Sequence, residues 1–137
     1  MDTKTLVDAI ATILADRTDW AWQPEGPAYT AQQTGIFYGA ISDSPDQAIG
    51  ITVYASLDDH VTTLTIRRAQ LRFRGAQHDP AGADDLADTA FTILQGLARV
   101  AGISLITRES SAPLGADEND RQVRTDNYQI IIDNQEV

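Results

Sequence analysis

Two short clusters hold the side chains best suited to chemistry: Asp58, Asp59 and His60 in the segment LDDH, and His78 with Asp79 in QHDP. A histidine beside carboxylates can ligate a metal or move a proton, the equipment of a small hydrolase or nuclease. Neither cluster has the i, i+4 spacing that puts two ligands on one helix face, and both sit in turn-like sequence, where an exposed histidine is the simpler account. A third segment, DENDR at 117–121, has the oxygen-rich look of a calcium loop. Its register fails: with Asp117 at the first position, Arg121 falls on a ligand position, Gln122 where the sharp turn needs glycine, and Tyr128 where a bidentate glutamate belongs. No phosphate-binding glycine loop or nucleophile elbow occurs, and Asp84, Asp85 and Asp88 read as the polar face and positive end of a helix. The expectation is a chain with no catalytic, metal or cofactor site.

Composition narrows the classes further. The 137 residues, 42% of them hydrophobic, suffice for a single domain with one core, expected to span 1–137. The absence of cysteine excludes disulfides and thiolate chemistry. No apolar run is long enough to cross a membrane, and the start MDTKTLVDAI lacks the order of a signal peptide. A net charge of −10 opposes wrapping of nucleic acid and suits a wall past which DNA slides without sticking. Nine of the ten basic residues are arginine. Arginine is enriched in interface cores, although the nucleotide composition of a genome produces the same bias.

The elements that must position these residues follow from periodicity. Leu6, Val7, Ile10, Ile13 and Leu14 form a helical stripe over 3–17, with Asp2 or Thr3 as cap. Residues 18–34 break regular structure with two prolines and a glycine, yet carry Trp20, Trp22 and Tyr29, which need either the domain's own core or a neighbour to cover them. Strands are expected at 35–41, 48–56 and 61–74. In the last, the apolar parity changes from Leu64 and Ile66 to Ala69, Leu71 and Phe73, which predicts a bend near Arg67 and Arg68. A helix is expected over 80–100, opened by Asp79 and Pro80 and closed by Arg99 and Gly102. Strands at 103–108 and 123–133 complete the order α-β-β-β-α-β-β. The fold class is α+β, a mainly antiparallel sheet with two helices on one face and a long bent hairpin arm.

On that arm Arg68, Gln70, Arg72 and Arg74 share a face, next to Arg67, while Asp117, Glu118 and Asp120 supply carboxylates from the same chain beside Arg121 and Arg124. Two readings stand: charge-complementary contacts between copies, head to tail, or an ordinary outward face with intrachain pairs.

The ordered set from Arg67 to Tyr128 resembles the tail terminator, or minor capsid protein, family of long-tailed bacteriophages. It comprises a strand ending LRFRG, the helix PAGADDLADTAFTILQGL, a strand, and then LG-x-D-x-N-x-R before a closing strand introduced by Asn127-Tyr128. Asp120 stands where family members often carry glycine. The resemblance implies a small α/β virion protein at the tail-neck junction that assembles on the tail tube as a homo-oligomeric ring, typically a hexamer. It stops tube growth and binds the head connector, while genomic DNA passes the lumen without specific binding. No membrane, cofactor or catalysis is implied. Interface candidates are Arg67, Arg68, Arg72, Arg74, Asp117, Glu118, Asp120, Arg121 and Arg124, with the arm 61–74 and loop 113–127 as contact segments. The alternatives are another neck or head-completion protein, a small metal-dependent hydrolase, and a monomeric adaptor domain.

Overall fold

A computed structural model describes residues 1–62 and 64–133, so Thr63 in the expected arm lies outside the described residues. Helix α1 (Thr3–Asp16) is followed by strands β1 (Ala21–Trp22), β2 (Gly35–Tyr38), β3 (Ala48–Asp59) and β4 (Leu64–Gln77). Helix α2 (Gly82–Leu94) and strands β5 (Ala98–Val100), β6 (Ile103–Ala116) and β7 (Arg121–Ile132) follow. The seven strands form one sheet in the order β1-β2-β3-β4-β7-β6-β5. The α+β class holds, but the sheet is mixed: β1 with β2 and β2 with β3 pair in parallel, and the other neighbours are antiparallel. The expected element order lacked β1 and β5.

Both helices cover one face. Leu6, Val7, Ile10 and Leu14 of α1 and Ala83, Ala87, Ala90 and Leu94 of α2 join Ile49, Ile51, Ala69, Leu71, Phe73, Tyr128 and Ile130 in a single buried cluster. Apolar residues at helical spacing meet apolar residues at spacing two, the geometry of helix on sheet. Asp2 caps α1, its carboxylate accepting from the Thr5 amide at 2.8 Å. Close approach of α2 to β4 depends on Gly75, where an added Cβ would stand 2.7 Å from the backbone of Gly82 and Ala83. Trp20 belongs to the core, whereas Trp22 is half-buried and donates its indole N–H to Asp8 at 2.8 Å.

Three expectations need correction. The irregularity expected near Arg67 and Arg68 is not in β4 itself, which pairs with β7 in unbroken register from Thr65 to Arg74. The irregularity lies opposite, in β3 between Val53 and Ala55, where Tyr54 is the extra residue. Leu64 and Ile66 therefore stay on the face away from the helices. The second helix ends at Leu94, not near Val100. Gly96 takes a φ of 76°, and Ala98–Val100 leaves to pair with β6. Ala81, not Asp79, precedes its first turn, and Asp79 instead accepts from the Ala81 amide at 3.2 Å. Finally, β6 runs on through 109–116, so the expected loop contracts to the turn at 117–120 of a long β6–β7 hairpin.

The first expected strand, 35–41, stops at Tyr38, and segment 39–47 is a crossover joining the parallel strands β2 and β3. It lies on the sheet face away from the helices. An added Cβ on Gly50 would come 2.3 Å from the Gly39 carbonyl oxygen and 3.0 Å from the Ile41 side chain.

Candidate assembly surface

The strand alternation sorts the arginines before any chemistry is considered. Arg68, Gln70, Arg72 and Arg74 alternate with core residues 69, 71 and 73, so they occupy the helix-free face. Their environments differ sharply along it. Arg74 is 7% exposed, sealed beneath the crossover 39–47. Its Nε donates to the Asp46 carbonyl at 2.9 Å, and its Nη2 donates to the carbonyls of Ser42 and Pro45 at 2.7 Å and of Asp43 at 3.3 Å. Burial, aided by the nearby Arg121 charge, pulls its pKa below the ordinary arginine value.

Arg121 is 4% exposed and grips the same loop from the β7 side. It pairs with Asp43 and Asp46 at 3.0 Å and with Asp117 at 2.9 Å, and donates to the Asp43 carbonyl at 2.7 Å. Burial works against its charge, but the three carboxylates outweigh it and raise its pKa. Asp117 also accepts from the amides of Asn119 and Arg121 in its own hairpin turn. Burial would lift its pKa, but hydrogen bonds from Arg121 and Asn119 hold it below the ordinary carboxylate value. Together Arg74 and Arg121 fasten a crossover that has no helix or ladder of its own.

The remaining candidates divide likewise. Arg68 pairs with Glu109 at 2.9 Å, which raises its pKa, and Gln70 donates to Asn127. Arg67 lies on the helix side, beyond the core, and pairs with Asp58 at 2.7 Å. Arg124 sits under α2, where it meets Asp84 at 3.2 Å, Asp88 at 3.5 Å and the fully buried Asp126 at 2.9 Å. Burial opposes its charge, but these acids raise its pKa. Arg108, over the Phe91 ring at 3.9 Å, adds a second cation to Asp126. Asp120 holds His78 at 2.8 Å. Among the described residues, Arg72 and Glu118 are the candidates that keep an exposed charge with no hydrogen bond or ion pair.

The helix-free face is not wholly polar. Past Arg68, toward the β3–β4 turn, Leu57 and Leu64 are 48% and 43% exposed, and the cross-strand pairs Leu57–Ile66 and Ile66–Ile131 continue the apolar patch to Leu105 of β6. At the tip itself Val61 is 78% exposed. Periodicity gives Leu64 and Ile66 the look of core residues because an uncovered sheet face has the same alternation as a covered one.

A groove of about 1020 Å³ lies at the other edge of the sheet, between α1 and the 23–29 loop. Trp22, Pro24, Pro27, Tyr29, Phe37 and Tyr38 form its walls, with Lys4 on the α1 side and Glu25 on the loop side. Tyr29 fixes the shape. Its ring lies over Gly35, where a Cβ would come within 2.9 Å, and meets Phe37 edge-on at 5.1 Å. Its hydroxyl donates to the Ile36 carbonyl and accepts from the Gln23 amide, prolonging the short β1–β2 pairing.

The two histidine clusters lie apart. Asp58 to His60 precede β4 and His78 with Asp79 follow it; fourteen residues of strand separate them by on the order of 40 Å. The carboxylates and His78 have partners within the fold: Asp59, for example, accepts from the Val61 amide at 2.9 Å, and that bond holds its pKa low. Among the described residues no three histidines or carboxylates converge to hold a metal, and no helix is long and apolar enough to cross a membrane. A family model described as bacteriophage tail terminator protein matches residues 13–134. No curated protein matches the chain.

Proposed function

Because the chain belongs to the bacteriophage tail terminator family, a family of structural virion proteins, we propose that it caps the completed tail tube. In this reading several copies, six as the resemblance implies, close into a ring that stops tube growth and offers its free surface to the head connector. The observation that carries the proposal is the helix-free sheet face, where the exposed Leu57 and Leu64 and the half-buried Ile66 form an apolar patch in line with the unpaired Arg72. An apolar centre with an arginine at its side is the composition of a protein contact. The arm and the β6–β7 hairpin point to opposite ends of the sheet, which suits a head-to-tail assembly in which one patch meets a different one. The acidic balance serves a ring through which DNA moves, since fixed negative charge repels phosphate.

The test is assembly of tails with and without the chain. Without it, tubes of uneven length and heads lacking tails are expected; adding the pure protein restores uniform, joinable tails. Arg72→Glu should fold normally and fail to restore them. Uniform tails in the absence of the chain would refute the proposal.

A further inference from the structure

We propose that the outer edge of β3, at residues 53–59, takes an added strand from the last subunit of the tail tube, an inference that rests on the capping reading above. β2 covers β3 only from Ala48 to Ile51, where the Gly39 amide still donates to the Ile51 carbonyl at 2.8 Å. Beyond that point the outer side of β3 has no neighbouring strand. Ile51 turns its backbone groups outward to β2, and the alternation, carried past the extra residue Tyr54, turns those of Ser56 and Asp58 outward too. Both residues are exposed, and among the described residues their amides and carbonyls have no hydrogen-bond partner. Unpaired groups in such a row are a template for another strand.

The opposite side of the sheet is closed. Along β6 the Gln95 side chain accepts from the outward Arg108 amide at 2.7 Å, irregularities at Glu109 and Leu114 break the ladder, and Pro113 takes an outward place with no N–H to donate. β5 is three residues long, and the positive φ of Arg99 and Ala101, 57° and 51°, twists its edge away. β1 offers only Ala21–Trp22. A second copy therefore has no long regular edge to lend except β3 itself, and β3 against β3 makes a two-fold pair, which closes at two copies rather than around a ring. The occupant is then a different protein. A subunit that accepts a strand and lends none ends a series, as a cap on a growing tube must, and that selects the tube as the donor.

The side chains state what the donated strand carries. Leu57, Ile66, Ile131 and Leu105 form one row across four strands of the helix-free face, and the row stops at the open edge with Leu57, 48% exposed. A strand laid there sets a side chain about 5 Å from Leu57, so an apolar residue at that place continues the row. Its neighbours in sequence point to the other face, beside Ser56 and Asp58, and are polar.

Hydrogen exchange over residues 53–59, read by mass spectrometry, tests this on the full chain, free and bound to headless tail tubes assembled without it. Tube binding should slow exchange of the Ser56 and Asp58 amides roughly tenfold or more. Ser56→Pro removes one outward N–H and leaves the β4 ladder intact, as Pro113 does on β6. It should keep the parent's circular dichroism and lose tube capping, while Ser56→Ala keeps both. Should Ser56→Pro not fold, the exchange comparison on the unaltered chain decides alone. If the chain caps tubes and these amides exchange as in the free chain, the edge contact is wrong while the capping reading survives. Protection that appears only when heads join assigns the strand to the connector, and protection in the concentrated free chain, with a dimer by light scattering, assigns it to a second copy; either overturns the proposal. If the chain binds no tube, both readings fall.

Discussion

Replacing Arg74 by Met isolates what the buried guanidinium does for the fold. Three well-made charged hydrogen bonds, at 2.7 to 2.9 Å, connect it to the crossover carbonyls. Bonds to charged groups are worth about 1.5 kcal/mol or more each after exchange with water, so the gross loss is about 4 to 5 kcal/mol. Desolvation of the guanidinium and repulsion from Arg121, the causes of its lowered pKa, offset part of that. A net cost of about 2 to 4 kcal/mol remains, a large fraction of the roughly 5 to 15 kcal/mol that stabilises a domain. At this chain length it lowers the melting temperature by roughly 8 to 16 °C. The control is Arg72→Met, two residues along on the same face, exposed and unpaired, which should change stability by no more than about 0.5 kcal/mol. Thermal and urea unfolding of the two variants and the parent measure both effects. Equal stability of the two variants would refute the division of this arginine row into a fold-holding residue and a contact residue.

Other consequences follow from the same geometry. The Tyr128 hydroxyl is buried without a hydrogen-bond partner among the described residues, and burial raises its pKa; Tyr128→Phe should therefore be neutral or stabilising by about 1 kcal/mol in urea unfolding. Because the folded Asp117 carboxyl has its pKa below the ordinary 3.8, the unfolded chain binds more protons in acid. The stability this carboxylate contributes is full above about pH 4 and is lost as pH falls through the folded value. Asp117→Asn should flatten that acid limb in a series of melts from pH 5 to pH 2. Gly50→Ala would drive a methyl group into the Gly39 carbonyl, and a cost of about 2 kcal/mol or more, read by urea unfolding, is expected from displacement of the crossover.

How far the sequence revealed the fold depended on how local each cause is. The α1 stripe and the Asp2 cap act within a few residues, and both appear as expected. The second helix was read too long because Leu97 and Ala98 extend its stripe. Pairing of Ala98–Val100 with β6, a partner several residues away, overrides that pattern. The parallel pairing of β2 with β3 had no local sign. It depends on Arg74 and Arg121 holding the crossover, and the bond from Arg121 to Asp43 joins residues 78 apart. The same distance limit governed the candidate site. Sequence grouped nine charged residues as one surface, yet only their three-dimensional partners distinguish Arg74 and Arg121, which fasten a loop, and Arg124, which lies under a helix, from the open Arg72. The parity change at Leu64 and Ile66 was a true signal with another cause: those residues mark an uncovered face, and the bulge belongs to Tyr54 on the neighbouring strand.

The most direct measurement of the central claim is cryo-electron microscopy of isolated tails carrying this chain. The account predicts a closed ring of its copies at the head-proximal end of the tube, with the β3–β4 arm and the helix-free face at the contacts. Density for the chain in the capsid shell, or its absence from finished tails of uniform length, would contradict it.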